Sequence, residues 1–202
     1  MLVQVPSSPS GTLSVTQTGN TWSQLVGASS GTTTDDSTTE IWWSVVQETG
    51  QNVVVKFTTS TYFAVVMAAF SGSSGSWAAD PATGTTTWSA SVGSGTMPSV
   101  TPGHGDELWV GALAENYTSI SGPVVTFATV DGGAALRGGY TSYDLAWILA
   151  PGASAPTVTW SVNYATSLIN KVGAVGYLRS LPGYAPLAQP PSFTPLARAA
   201  SW

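Results

Sequence analysis

The sequence holds a single histidine, His104, in the run Pro102-Gly103-His104-Gly105-Asp106-Glu107. A Ser-His-Asp device would need this residue as its general base, with Asp106 as the nearby orienting acid. No G-x-S-x-G elbow accompanies it, and a glycine-rich connection offers nothing to fix an imidazole tautomer, so a solvated loop histidine is expected. Ten Asp and Glu residues could supply a carboxylate pair of the kind that cleaves glycosides. Asp35, Asp36, Asp80, Asp106 and Asp131 fall in apparent loops, and Glu40 and Glu48 flank the strand bearing Trp42; these few acids are expected to keep the chain soluble. The run Asp35-Asp36-Ser37-Thr38-Thr39-Glu40 is rich in oxygen donors, but it lacks the spacing and glycine of an EF-hand and reads as a polar turn. Gly132-Gly133 and Gly138-Gly139 read as turns, not phosphate cradles. With no cysteine, disulfides, thiolate nucleophiles and most structural zinc sites fall away together. The inventory therefore assigns no catalytic, cofactor-binding or metal-ligating residue and predicts a protein that is not an enzyme.

Aromatic residues are the richer signal. Trp22, Trp43, Trp147 and Trp160 fall on a common pattern and are expected in the core. Trp42 lies on the face opposite Trp43, so Trp42, with Glu40 two residues before it, is the candidate contact for a glycan or a protein partner; the competing expectation is a tryptophan covered by the central linker. Asn116-Tyr117-Thr118 matches a glycosylation sequon.

Composition bounds the classes of function. Of 202 residues only 7% are charged while 43% are hydrophobic, and nine Trp, seven Tyr and five Phe supply ample apolar area. A net charge of −5 argues against nucleic acid, whose binding rests on basic contacts to phosphate. A surface made of Ser, Thr, Gly and Ala has little charge to desolvate, which suits close contact with other protein or a neutral face for sugars. No stretch reaches the roughly 18 to 20 apolar residues of a membrane span. Met1-Leu2-Val3-Gln4-Val5-Pro6 has neither the basic patch nor the apolar run of a secretory signal, predicting a protein used without export.

Turn residues and β-branched runs dominate, and the predicted class is all-β. Strands are expected at Leu2–Val5, Thr21–Val26, Glu40–Val46, Asn52–Thr58, Tyr62–Phe70, Leu108–Leu113, Val124–Val130, Leu145–Leu149, Thr157–Val162 and Lys171–Leu178, with a further piece at Thr85–Val92. Alternation puts Ile41, Trp43 and Val45 on one face, and Val53, Val55 and Phe57 likewise share a face. Phe63–Phe70 is apolar on both faces and is expected as a central strand covered on both sides, or partly covered by a neighbouring subunit. Leu2, Trp22, Trp43, Phe57 and Phe70 can be laid on Leu108, Phe127, Trp147, Trp160 and Tyr177 at offsets of 103 to 107 residues. The pattern predicts a sandwich over 1–178 with two pseudo-symmetric five-strand halves, about 1–72 and 106–178, joined by a linker at 73–105. Residues 179–202 hold Pro182, Pro186, Pro190, Pro191 and Pro195 and form an extended arm, with Tyr184, Phe193 and Trp202 as candidate anchors.

Four short runs carry a resemblance: Gly19-Asn20-Thr21-Trp22, Glu40-Ile41-Trp42-Trp43, Val53-Val54-Val55-Lys56-Phe57 and Ala69-Phe70-Ser71-Gly72. Together with the stretch from Asp106-Glu107-Leu108 to Gly176-Tyr177-Leu178, the chain resembles a β-sandwich module of tailed bacteriophages, especially those of actinobacteria. The resemblance implies a jelly-roll-like sandwich in a virion protein, either a minor tail protein or a capsid-decoration protein. Its implied partners are other virion proteins and further copies of itself as a homo-oligomer, with no cofactor. A carbohydrate-binding module reading host surface glycans through Trp42 is the alternative. A hydrolase built on His104 is the weakest of the three.

Overall fold

The computed structural model describes residues 2–7, 12–31, 36–57, 65–70, 77–105, 107–114, 125–129, 134–137, 143–149, 154–162 and 170–180. Over these residues the chain is all-β, with strands β1 (Leu2–Ser7), β2 (Thr12–Thr16), β3 (Ser23–Ser29), β4 (Thr38–Trp43), β5 (Val54–Phe57), β6 (Val66–Ala68) and β7 (Trp77–Trp88) in the first part. The second part holds β8 (Ser94–Thr96), β9 (Leu108–Ala114), β10 (Val125–Thr129), β11 (Ala134–Arg137), β12 (Tyr143–Leu149), β13 (Val158–Val162) and β14 (Lys171–Ser180). They form four antiparallel sheets with orders β3-β4-β1-β6, β11-β12-β9-β14-β7, β10-β13-β8 and β2-β5. The order β3-β4-β1-β6 recurs as β11-β12-β9-β14, and the pair β2-β5 recurs as β10-β13.

Side-chain alternation stacks these sheets. Along β9, Leu108, Val110 and Ala112 face one way, and together with Leu145, Trp147, Ala174 and Leu178 they meet Val26, Ile41 and Ala68 of the β3-β4-β1-β6 sheet. The opposite face of the same sheet, through Trp109, Leu113, Ala146, Ile148, Val175 and Tyr177, packs on Val158, Trp160 and Met97 of the β8/β13 layer. A third cluster, Val15 and Trp22 with Trp42, Val53, Val55, Phe57, Val65 and Met67, lies between β2-β5 and the outer face of β4 and β6. Four layers result, and the five-stranded sheet is covered on both sides. Every residue of β9 is therefore buried, which is why it reads as an unbroken apolar run and not as an alternation.

The alternation expected for β4 and β5 is seen. Ile41 and Trp43 face the five-stranded sheet, Trp42 faces away, and Val53, Val55 and Phe57 turn into the third cluster while Val54 stays 45% exposed. Trp22, Trp147 and Trp160 are buried and Trp43 is half-buried against the first cluster.

Three expectations change. The Phe63–Phe70 segment is described from Val65 onward, and β6 ends its sheet by pairing with β1 alone among the described residues. Its two faces are covered all the same, Ala68 by the first cluster and Met67 by the third. Apolar residues on both faces marked a middle layer of the stack, not a middle place in the sheet. The segment 73–105, expected as a linker, carries β8 and the twelve-residue β7, which pairs along β14. The acids are not simply solvent-facing, because Asp36, Glu40, Asp80 and Glu107 are all buried.

Candidate functional site

Asp80 lies inside β7 and is followed by Pro81, which has no N–H to give to a ladder. Pairing slips there: Gly176 stands opposite Thr83 and Leu178 opposite Ala79, leaving Asp80, Pro81 and Ala82 to face Tyr177 alone. Within this bulge Asp80 Oδ1 accepts the Ala82 N–H at 2.7 Å. On the other side of β14, Leu178 pairs with Leu108, which places Glu107 beside Arg179 one step further along the ladder. The loop before β9 closes over the top: Pro102 is buried, and a methyl group at Gly103 would collide with Asp80 Oδ2. Only glycine lets that backbone lie on the carboxylate.

This convergence gathers a carboxylate from β7, a carboxylate from the edge of β9, and His104 from the loop. One potential ligand atom from each of Asp80, His104 and Glu107 lies within 4.8 Å of the others. Glu107 is 0% exposed and Asp80 4% exposed, while His104 reaches solvent. Neither Glu107 oxygen has a hydrogen-bond partner of acceptable geometry, although the Asp80 carboxyl is near enough to alter its proton affinity. Burial, then hydrogen bonding and charge repulsion from Asp80, raise the Glu107 pKa from 4.5 to about 7; the His104 backbone and the Arg179 charge pull the other way. Tyr177 is likewise pushed up to about 12, first by burial and then by the charges of Glu107 and Asp80. Its hydroxyl donates to the Val100 carbonyl at 2.5 Å and so ties the loop to β14.

His104 is better held than its glycine neighbours predicted. Arg179 Nη1 meets His104 Nε2 at 2.5 Å. A guanidinium has donors only, so Nε2 must carry the lone pair and the proton of the neutral ring sits on Nδ1. The tautomer is fixed from β14, which sequence proximity could not show. Asp106, the neighbour that suggested a triad, lies outside the described residues.

The second candidate, Trp42 with Glu40, forms a different arrangement. Trp42 Nε1 donates to Glu40 Oε2 at 2.8 Å, and the ring is half-buried against the Val15 and Trp22 cluster under β2-β5. Among the described residues its cover comes from β2-β5 and not from the central segment. Around it, Asn20 fixes the neighbouring loop: its Nδ2 donates to the Glu48 carbonyl at 2.8 Å, and its Oδ1 accepts the N–H groups of Gln47 and Glu48 at 2.6 and 3.1 Å. Gly19 at φ 76° makes the turn that aims Asn20 there.

In the oxygen-rich run, Asp36 is buried and its Oδ1 accepts from Ser30 Oγ at 3.0 Å and Asn170 Nδ2 at 3.1 Å, while Asp35 lies outside the described residues. Asn170 Oδ1 also accepts the Ala90 N–H at 3.1 Å, so this group is a cross-brace between β3–β4, β14 and the end of β7. The sequon at 116–118, Asp131, and the arm residues Tyr184, Phe193 and Trp202 lie outside the described residues.

Sequence reasoning missed Asp80, Glu107, Tyr177 and Arg179 as a group. The one local signal was Asp80-Pro81 inside a segment with tryptophans at both ends, a bulge signature. The rest depends on ladder register. Comparison with protein-family models, with curated proteins and with solved structures found no match to this chain.

Proposed function

We propose that the chain is a non-enzymatic bacteriophage virion protein, of the minor-tail or capsid-decoration kind, and that it docks onto further copies of itself and onto other virion proteins. The observation carrying this reading is the outer edge of β7. It is the longest strand, it ends its sheet among the described residues, and beyond Pro81 its exposed positions are Thr83, Thr85 and Thr87, with no charge to repel a neighbour. Edge strands that must stay single normally carry lysine, a bulge or a cover. This one is blunted by Pro81 at one end only, and the favoured occupant is the β7 of a second copy, paired antiparallel about a two-fold axis.

The repeated sheet order supports two related halves in a jelly-roll-like sandwich, with β7 and β8 added to the second half from the connecting segment. The glycan-reading alternative has less support, because the Trp42 ring that would stack on a sugar is half-buried against the Val15 and Trp22 cluster. The test is light scattering on the native chain and on Thr85→Lys. The native chain should be a dimer or larger, and the lysine variant a folded monomer. A native chain that stays monomeric at tens of micromolar, or a Thr85→Lys protein that assembles unchanged, refutes docking through this edge.

A further inference from the structure

We propose that Asp80, His104 and Glu107 form a binding site for a divalent transition-metal ion, with Zn2+ the preferred occupant. Three observations on separate elements carry it. The donor atoms lie within 4.8 Å of one another, and a tetrahedral ion with bonds of roughly 2.0–2.2 Å needs donors about 3.3 Å apart. His104 stands on an exposed loop, so a small turn of that side chain closes the gap. Both oxygens of Glu107 are fully buried and no group donates to them in good hydrogen-bond geometry, so a cation in the cluster would compensate an ionised carboxylate that Asp80 otherwise repels. The carboxylate of Asp80 is oriented already: Oδ1 is held by the Ala82 N–H, leaving Oδ2 toward the Gly103 backbone and the loop that carries His104.

The donor set selects the ion. One imidazole with two carboxylates fits zinc, and a solvent molecule would complete four-coordination on the exposed side. Calcium and magnesium favour six or more oxygens and gain little from an imidazole. Arg179 is the gate. In the ion-free protein its guanidinium occupies the His104 lone pair, and its positive charge sits beside the site, so zinc binding requires this side chain to swing outward. Its Nε is buried without a hydrogen bond, so no partner at that atom holds it back.

The experiment is titration calorimetry of the full chain with ZnCl2 after chelator dialysis, repeated with CaCl2 and MgCl2, with the urea midpoint confirming that each variant folds. The expected result is one zinc per chain, with neither calcium nor magnesium binding in the same concentration range. Glu107→Gln keeps the side-chain shape and should weaken zinc at least 10-fold, as should His104→Ala on the exposed loop. Arg179→Gln should tighten zinc several-fold, because it frees the imidazole and removes a like charge; a purely structural ion-pair network would give no such gain. A Co2+ complex should show a visible absorption band that disappears in His104→Ala. Absence of saturable zinc binding below about 100 µM, or zinc affinity unchanged in both Glu107→Gln and His104→Ala, overturns the proposal. Calcium binding of equal strength that ignores His104→Ala overturns it as well.

Discussion

Replacing Glu107 by glutamine gives a sharp test of how the β7–β9–β14 corner is built. In the ion-free protein the Glu107 pKa is raised from 4.5 to about 7, chiefly by burial and then by Asp80. The folded chain therefore binds a proton more tightly than the unfolded chain does. The sign follows: between pH 4.5 and 7 the folded state carries more protons, so stability falls as pH rises. The stabilisation is fully present below 4.5 and lost above about 7. Two and a half pH units correspond to about 3 kcal/mol. Glutamine cannot ionise, so Glu107→Gln should lack this loss. Urea unfolding in EDTA, from pH 4 to pH 8, should show the variant gaining about 3 kcal/mol on the wild type across the range. For a chain of this length that is roughly 6–12 °C in the melting midpoint. Parallel pH profiles for the two proteins would show that Glu107 is solvated and that the corner is not buried as described.

Three further outcomes are expected. Trp160→Ala removes a ring that is 1% exposed and packs edge-on to Trp88 at 4.9 Å, and it should cost about 3–5 kcal/mol by urea denaturation; a loss under 1 kcal/mol would mean the β8/β13 layer is not a packed core. Gly173→Ala would push a methyl group to 2.9 Å from the Trp88 ring and 3.2 Å from Met97, costing about 1–3 kcal/mol and shifting the near-ultraviolet circular dichroism of Trp88; unchanged stability and spectrum would refute the close approach. Deletion of Leu181–Trp202 should leave the unfolding midpoint unchanged and abolish attachment to particles, and normal incorporation of the truncated chain would remove the arm from the docking reading.

The strands were legible because alternation is a local property. Ile41 and Trp43 against Trp42, and Val53, Val55 and Phe57 against Val54, declare their faces within six residues. Layering was harder to see. A run apolar on both faces shows only that two layers cover it, so Phe63–Phe70 was expected in mid-sheet when β9 and β14 hold that place. Only the Thr85–Trp88 end of β7 is legible, because Asp80-Pro81 and Gly84 are breakers in any local reading; the ladder accommodates them as a bulge and a small residue against Val100. The acids at 80 and 107 are invisible as a pair, since nothing in either neighbourhood announces burial of charge. Their meeting is set by β14, whose two edges hold β7 and β9 in register at once.

The position of β7 in the chain has a consequence for synthesis. Trp88 is made some 80 residues before Lys171, with which it pairs. At about 5–20 residues per second, roughly 4–16 s pass in which twelve residues, with Asp80 their single ionisable side chain, wait for the ribosome to deliver their mate. During that interval both rims of the strand are open to neighbouring nascent chains on the same message. Translation speed between the two, and the crowding of ribosomes, should therefore set the yield of correctly assembled protein more strongly than the final stability does.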